Sequence, residues 1–279
     1  MILAENISFQ VGKACLLNRA SFRFDKPEFI AVIGPNGAGK STLLQLLSGF
    51  YKPTTGSVLI NGKGTHLWSA SEFAHFRAYL QQQQSVFESF TVEDVLMMGR
   101  TIHVASKPGP ADAEMVEKML VQLGLHDRRT QAFNHLSGGE QQRIQFARTL
   151  LQLKDVGSDS LSGKILFLDE PLNNLDLYYQ YNLLQLARTN VVEQQGTVIA
   201  VLHDINMAYQ FADRIIVLSK GNTICDAPTE EALTPELLSA VYNMNIQKHE
   251  SGNQLTYFSA SHHVSETITG TLDEVRLQH

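Results

Sequence analysis

Two cysteines in 279 residues, Cys15 and Cys225, are too few for a disulfide framework or a zinc-ligand set. Positive charge is also scarce. The 22 Lys and Arg stand against 28 Asp and Glu, for a net charge of −6, and no basic block occurs. That balance argues against a general nucleic-acid-binding surface. Apolar stretches such as Ile165–Leu168 and Thr197–Leu202 fall far short of the roughly 20 residues that a membrane-spanning helix needs. The opening Met-Ile-Leu-Ala-Glu-Asn has no positive region ahead of an apolar run, so no secretory leader is expected. With 8 prolines, 18% charged and 43% hydrophobic residues, the composition is that of an ordinary globular chain, which excludes disorder over most of its length. The expectation is a soluble, cytosolic, reduced, one-domain protein.

Short β-like runs alternate with longer helical patterns. Phe29–Ile33, Ser57–Ile60, Ile165–Leu168, Thr197–Leu202 and Ile215–Leu218 are mostly apolar, as strands of a parallel sheet covered by helices must be. Asp112–Gly124 places Met115, Val116, Met119, Leu120 and Leu123 at helical spacing, and Glu114, Glu117, Lys118 and Gln122 on the other face. Gly124 is a natural stop. The alternation predicts an α/β fold. Strand signals cluster before residue 62 and after residue 164, so a helical subdomain over about 66–153 is expected within a core formed by about 1–65 and 164–245. Lys154–Lys164 is rich in Ser, Gly and Asp and reads as an exposed loop. Residues 246–279 read as a C-terminal extension, loosely held from Ala260 on, with His262 and His263 as solvated histidines rather than metal ligands.

Three segments carry chemistry. Gly34, Pro35, Asn36, Gly37, Ala38, Gly39, Lys40 and Ser41, followed by Thr42, fit the pattern G-x-x-x-x-G-K-[ST] between a strand and a helical run. Glycines at this spacing let backbone N–H groups curl around phosphate oxygens, and the following helix presents its N-terminal dipole to the same anion. Lys40 can reach the β- and γ-phosphates, and the Ser41 hydroxyl can bind Mg²⁺. Ile165–Glu170 is an apolar strand ending in two acids, at the sheet edge where α/β folds bind ligands. Asp169 is the expected Mg²⁺ partner of Ser41, and Glu170 is placed to polarise a water against the γ-phosphate. In the third segment Ser137 caps a helical pattern, and Gly138 and Gly139 bare its first N–H groups as a second anion site.

The phosphate loop, LSGGEQQR at Leu136–Arg143, LFLDEP at Leu166–Pro171, NNLD at Asn173–Asp176 and LHD at Leu202–Asp204 occur in one order. Together they resemble the ATP-binding-cassette ATPases over roughly residues 1–245. The resemblance implies a P-loop NTPase core with a parallel-rich sheet and an inserted helical subdomain. It also implies two cassettes packed head to tail, with each ATP between the phosphate loop of one chain and the LSGGE segment of the other. By position, Ser137, Gly138 and Gly139, with Glu140 completing the segment, would contact the nucleotide of the opposite site. Glu170 would be the general base, His203 would hold the γ-phosphate and the attacking water, and Asp176 would lie in the dimer-contacting loop. The family's Mg²⁺-sensing glutamine falls in Gln81–Gln84; its flanks Arg77–Leu80 and Phe90–Val92 select Gln82, with Gln81 or Gln83 as alternatives. Where the family usually stacks an aromatic ring on adenine this chain has Val11, and Phe9, two residues earlier, shares its face if this segment is extended. Neither is assigned, so adenine contact is expected to be weak, with affinity resting on phosphates and Mg²⁺.

One cassette without a membrane span implies a homodimeric ATP-hydrolysing subunit that serves separate membrane proteins. The wording around the motifs is most similar to bacterial importers of haem, ferric siderophores or cobalamin. Leu175–Gln180 and the extra loop before Ile165 favour haem. The implied partners are two integral-membrane permease subunits and a periplasmic substrate-binding protein, with no nucleic acid. The implied place is the cytoplasmic face of the inner membrane. A soluble cassette ATPase, such as one in iron–sulfur assembly, is the other class considered.

Overall fold

Five consecutive apolar residues at Phe29–Ile33 leave neither face of a strand suited to water, and all five are buried. The computed structural model describes residues 2–81, 90–104, 107–252 and 255–262. Its strands are β1 (Ile2–Val11), β2 (Ala14–Phe24), β3 (Phe29–Ile33), β4 (Thr55–Ile60), β5 (Lys63–Gly64), β6 (Arg77–Leu80), β7 (Ile165–Asp169), β8 (Thr197–Val201), β9 (Arg214–Ser219), β10 (Asn222–Pro228), β11 (Asn245–Ser251) and β12 (Leu255–Ser261). The helices are α1 (Lys40–Leu47), α2 (Ala70–Ala74), α3 (Val92–Met98), α4 (Pro110–Gln122), α5 (Gly138–Leu153), α6 (Leu177–Ala187), α7 (Ile205–Phe211), α8 (Thr229–Ala232) and α9 (Pro235–Tyr242). Among the described residues, no helix is long and apolar enough to cross a membrane.

The chain divides into two units, Met1–Leu233 and Thr234–His279. In the first, a six-stranded sheet runs in the order β10-β9-β3-β8-β7-β6, parallel throughout except for β10 at one edge. A four-stranded antiparallel sheet, β2-β1-β4-β5, lies opposite it. Helix α1 packs on β1 and β2 and on β7 and β8, so both sheets hold the helix that follows the phosphate loop. Leu43, Leu44, Leu46 and Leu47 fill this layer with Ile7, Leu17, Phe22, Val32, Phe167 and Val201. Ser57–Ile60, expected in the parallel sheet, instead lies in antiparallel β4, where Val58 and Ile60 are buried and Leu59 is only half-buried. One buried face is what an antiparallel strand needs.

Residues 66–153 hold α2 to α5, but also β6, which pairs with β7 in the main sheet. Within this region Arg100 is buried, and its Nε donates to Asp112 Oδ1 at 2.8 Å. Its guanidinium also donates to the carbonyls of Leu151 (2.6 Å) and Lys154 at the end of α5. The loop after α5 is exposed at residues 156–160, but its end is anchored. There Lys164 Nζ is buried and donates to Leu153 O at 2.7 Å and Asp155 Oδ2 at 2.6 Å.

In the second unit, Thr234 caps α9 and Asn243 ends it in the left-handed conformation. Residue 245 is the first of β11, which pairs antiparallel with β12. Ala260 and Ser261 are therefore not loose: they pair with Ile246 and Asn245. His263 lies outside the described residues.

Candidate functional site

Strand β3 delivers the chain into a loop that only glycine can build at two points. A Cβ on Gly34 (φ +145°) would stand 2.0 Å from the Leu218 carbonyl oxygen, and one on Gly39 (φ +98°) 2.5 Å from that of Leu16. Gly39 then caps α1 with no side-chain acceptor, which leaves the first backbone N–H groups of the helix to be met by an anion. Lys40 is buried, and its ammonium donates to the carbonyls of Gly34 (2.7 Å) and Pro35 (2.9 Å), so the side chain curls back under the loop. Burial lowers the Lys40 pKa, while Glu170 and Asp169 oppose the shift.

Ser41 Oγ donates to Asp169 Oδ1 at 2.8 Å, and the Tyr79 hydroxyl donates to Asp169 Oδ2 at 2.9 Å. The hydroxyl and carboxylate are hard oxygen donors, and 2.8 Å is close to the separation of adjacent oxygens around an octahedral ion at about 2.0–2.1 Å. The pair therefore fits Mg²⁺. Burial raises the Asp169 pKa above its ordinary 3.8, and Glu170 adds to it; Ser41, Tyr79 and Lys40 only partly offset this. Burial and Asp169 push the Tyr79 hydroxyl up as well. An acid whose folded pKa exceeds its unfolded value costs stability above the folded pKa, and the cost vanishes below 3.8. Asp169→Asn should therefore raise the thermal midpoint of the nucleotide-free chain at pH 7, and the gain should shrink as pH falls toward 4. The amide oxygen accepts from Ser41 and its N–H₂ donates to Tyr79. A lower midpoint for the variant at pH 7 would show that the charged form is not disfavoured.

Glu170 follows β7 at φ +50°, a left-handed backbone that turns its side chain away from the strand. Its Oε1 lies 2.9 Å from His203 Nε2, and its Oε2 accepts from Asn173 Nδ2 at 2.9 Å. Burial pushes the Glu170 pKa up, but the hydrogen bonds from His203 and Asn173 outweigh it and the net shift is downward. His203 comes just after β8, and β8 and β7 are hydrogen-bonded neighbours, which is why residues so far apart in sequence meet. A cleft of about 690 Å³ is lined by Asn36–Thr42, Leu16, Glu170, Asn173 and His203. The sheet thus brings the phosphate loop and the Glu170–His203 pair together.

Ser137–Glu140 does not line that cleft. Ser137 caps α5, and both its N–H (2.9 Å) and its hydroxyl (2.8 Å) donate to Glu140 Oε2. In return Glu140 N–H donates to Ser137 Oγ at 3.3 Å, and these bonds hold the Glu140 carboxyl below its ordinary value. Ser137 and Gly138 are exposed. One turn on, buried Gln142 Nε2 donates to the Pro171 carbonyl at 3.0 Å, tying α5 to the loop after Glu170. Asp176 is exposed and caps α6 by accepting from Tyr179 N–H at 3.1 Å. Gln82 and Gln83 lie outside the described residues; Gln81, next to β6, is exposed. Phe9 stacks on Tyr51 with ring centroids 5.1 Å apart, and Val11 is 57% exposed. Neither is among the cleft-lining residues, whereas Leu16 is. Three further residues reach the site without a sequence signal of their own: Asn173 lies within NNLD, Tyr79 alternates with buried Ala78 and Leu80 on β6, and Leu16 lies outside every motif.

Residues 17–173 match the family model described as ABC transporter. The chain belongs to the ABC transporter family. The matched span holds this family member's phosphate loop, Ser137–Glu140, Asp169 and Glu170, and stops at Asn173. The chain is 42% identical over 241 residues to the hemin import ATP-binding protein HmuV of Rhodopseudomonas palustris (strain BisB18), across 86% of this chain and 87% of that protein. It is 37% identical to the protein of the same name from Escherichia coli O157:H7, across 88% and 93%. Among solved structures, a metal-chelate type ABC transporter in an inward-facing conformation matches with a TM-score of 0.76 and 27% identity, across 94% of this chain and 98% of that one. A dimeric post-hydrolysis ATP-binding cassette bound to ADP and Pi matches with a TM-score of 0.70 and 26% identity, across 82% and 99%. The ABC ATPase fold, with its parallel-rich sheet and inserted helices, is thus the fold of this chain.

Proposed function

We propose that this chain binds and hydrolyses ATP with Mg²⁺ in the cleft between the phosphate loop and Glu170. In this reading it works as a homodimer at the cytoplasmic face of the inner membrane, energising hemin import through two permease subunits supplied by a periplasmic binding protein. One observation carries the catalytic part: Lys40, Ser41, Glu170 and His203 converge on a single cleft. Gly34–Thr42 offers N–H groups and the Lys40 ammonium to the phosphates. Ser41 and Asp169, with Gln82 from the segment after β6, are the proposed Mg²⁺ ligands, and the bound ion would neutralise charge on the β- and γ-phosphates. Glu170 accepts the proton of the attacking water, and His203 orients Glu170 and holds the γ-phosphate side of the site. The hemin assignment rests on the names of the relatives. Loss of hemin uptake in cells whose own copy carries Lys40→Ala is the expected result. If ferric-siderophore or cobalamin uptake is lost instead, the cargo is wrong; if no uptake is affected, a soluble assembly role takes its place.

The second half of the reading is that Ser137–Glu140 and Asp176 serve the opposite chain's nucleotide. Support comes from the exposure of Ser137 and its separation from its own cleft. A mixed dimer of Lys40→Ala and Ser137→Arg chains tests it. If the sites are shared, one site carries both defects and the other neither, so about one non-hydrolysable ATP analogue should bind per dimer. If each site lies within one chain, both are damaged, and binding close to zero would sink the shared arrangement.

A further inference from the structure

Outside the nucleotide cleft, His75, His103 and Asp155 bring ligand atoms within 4.8 Å of one another. None of the three lines the cleft. They come from separate segments: His75 ends α2, His103 closes a single turn at Thr101–His103, and Asp155 lies two residues beyond α5.

The hydrogen bonds settle which atoms are available. His103 Nε2 lies 2.8 Å from the Gln152 carbonyl, which can only accept, so Nε2 carries the hydrogen. In the neutral ring Nδ1 is then a bare lone pair. It faces Asp155 Oδ1 at 3.5 Å, a second lone-pair donor, and its side chain is only 8% exposed. The other Asp155 oxygen is engaged by Lys164 Nζ at 2.6 Å, which fixes the carboxylate's orientation. With the ring neutral, two acceptors aimed at each other need a positive charge between them, which a proton on Nδ1 or a metal ion supplies. Ligands held at about 2.0–2.1 Å in a tetrahedral zinc site stand about 3.4 Å apart, close to the spacing present here. The His75 ring meets that of His103 edge-on, with centroids 5.0 Å apart, and supplies the third donor. Both His103 and Asp155 thus have the outer hydrogen bonds that orient metal ligands. Burial pushes the His103 pKa down, which favours the neutral ring that a metal requires.

We propose that His75, His103 and Asp155 form a binding site for a divalent transition-metal ion, zinc being the best match, separate from the Mg²⁺ of the nucleotide cleft. Two imidazole nitrogens and one carboxylate suit zinc or its neighbours and not Mg²⁺, which takes oxygen ligands. With Asp155 47% exposed, the fourth corner opens to water. The ion would clip α2, the Thr101–His103 turn and the end of α5 together.

The test uses the full chain, stripped with a chelator and titrated with Co²⁺ in the presence of millimolar Mg²⁺. One equivalent should give the intense visible absorption of a tetrahedral site, and Zn²⁺ should displace it. Zinc at about a hundred times its dissociation constant should raise the thermal midpoint by roughly 5–10 °C. Asp155→Asn, on the exposed side, and His103→Gln should each weaken binding at least about tenfold. Unchanged Mg²⁺-supported ATP turnover of Asp155→Asn without added zinc or cobalt would confirm that this variant is folded. Replacing His262 and His263 together by glutamine should leave binding intact. Affinity that survives Asp155→Asn and His103→Gln, or that disappears with the His262 and His263 pair, overturns the proposal.

Discussion

Replacing Glu170 by glutamine is expected to slow ATP turnover by about 10²–10⁴-fold while leaving ATP binding unchanged. The substitution keeps the side chain's volume. Its amide oxygen can accept from His203, and Asn173 can rotate its own amide to accept from the new N–H₂, so these two contacts have counterparts. What disappears is the ability to take a proton from water. Because His203 and Asn173 outweigh burial and hold Glu170 below its ordinary 4.5, the carboxylate is ionised throughout the neutral range. The acid limb of the wild-type rate that belongs to Glu170 should then lie below that value. Single-turnover phosphate release alongside nucleotide titration measures both parts. A variant that hydrolyses ATP at close to the wild-type rate removes Glu170 from the role of base.

The largest effect on stability is expected at Arg100. Asp112→Ala removes the carboxylate from a guanidinium that is buried, leaving a charge with only carbonyl partners. Breaking a buried pair on one side costs about 3–5 kcal/mol. For a chain of this size that corresponds to a fall in thermal midpoint of roughly 6–20 °C. Asp112 also accepts from Gly109 N–H at 2.9 Å, so the start of α4 loosens as well. Removing both charges with Arg100→Met and Asp112→Leu should cost less than Asp112→Ala alone, because no ion is then stranded. Denaturant midpoints of the single and double variants decide the matter. A loss below about 1 kcal/mol for Asp112→Ala would mean that water reaches Arg100.

Much of this site could be read from the residues because its parts are local. Gly34–Ser41 follows five buried apolar residues and Asp169–Glu170 follows four, Ile165–Leu168, and such runs announce themselves. Strand β6 did not: four residues in a helical neighbourhood, with Tyr79 half-buried, carry too little period to be seen. Tyr79 reaches Asp169 only because β6 pairs with β7, a fact of topology. Strand β1 announces itself poorly for a different reason: its burial pattern breaks where it bulges, between Ala4 and Ile7 and again near Phe9, so the alternation that marks an antiparallel strand is interrupted. The meeting of His75, His103 and Asp155 likewise has no sequence signature, since no two of them lie on one element.

The start of α5 has a consequence for how the proposed dimer works as a cycle. In this chain the cap donors of Ser137 are already satisfied by an internal anion, the Glu140 carboxylate. A phosphate arriving from the opposite chain would therefore replace one anion by another rather than fill an empty place. Such an exchange has a small net free energy even where each bond is strong by itself. It is reversible for the same reason: when phosphate leaves, Glu140 takes its donors back and the helix end needs no refolding. In the proposed dimer, closure on this segment would be a swap between two nearly equivalent occupants, running as readily backward as forward.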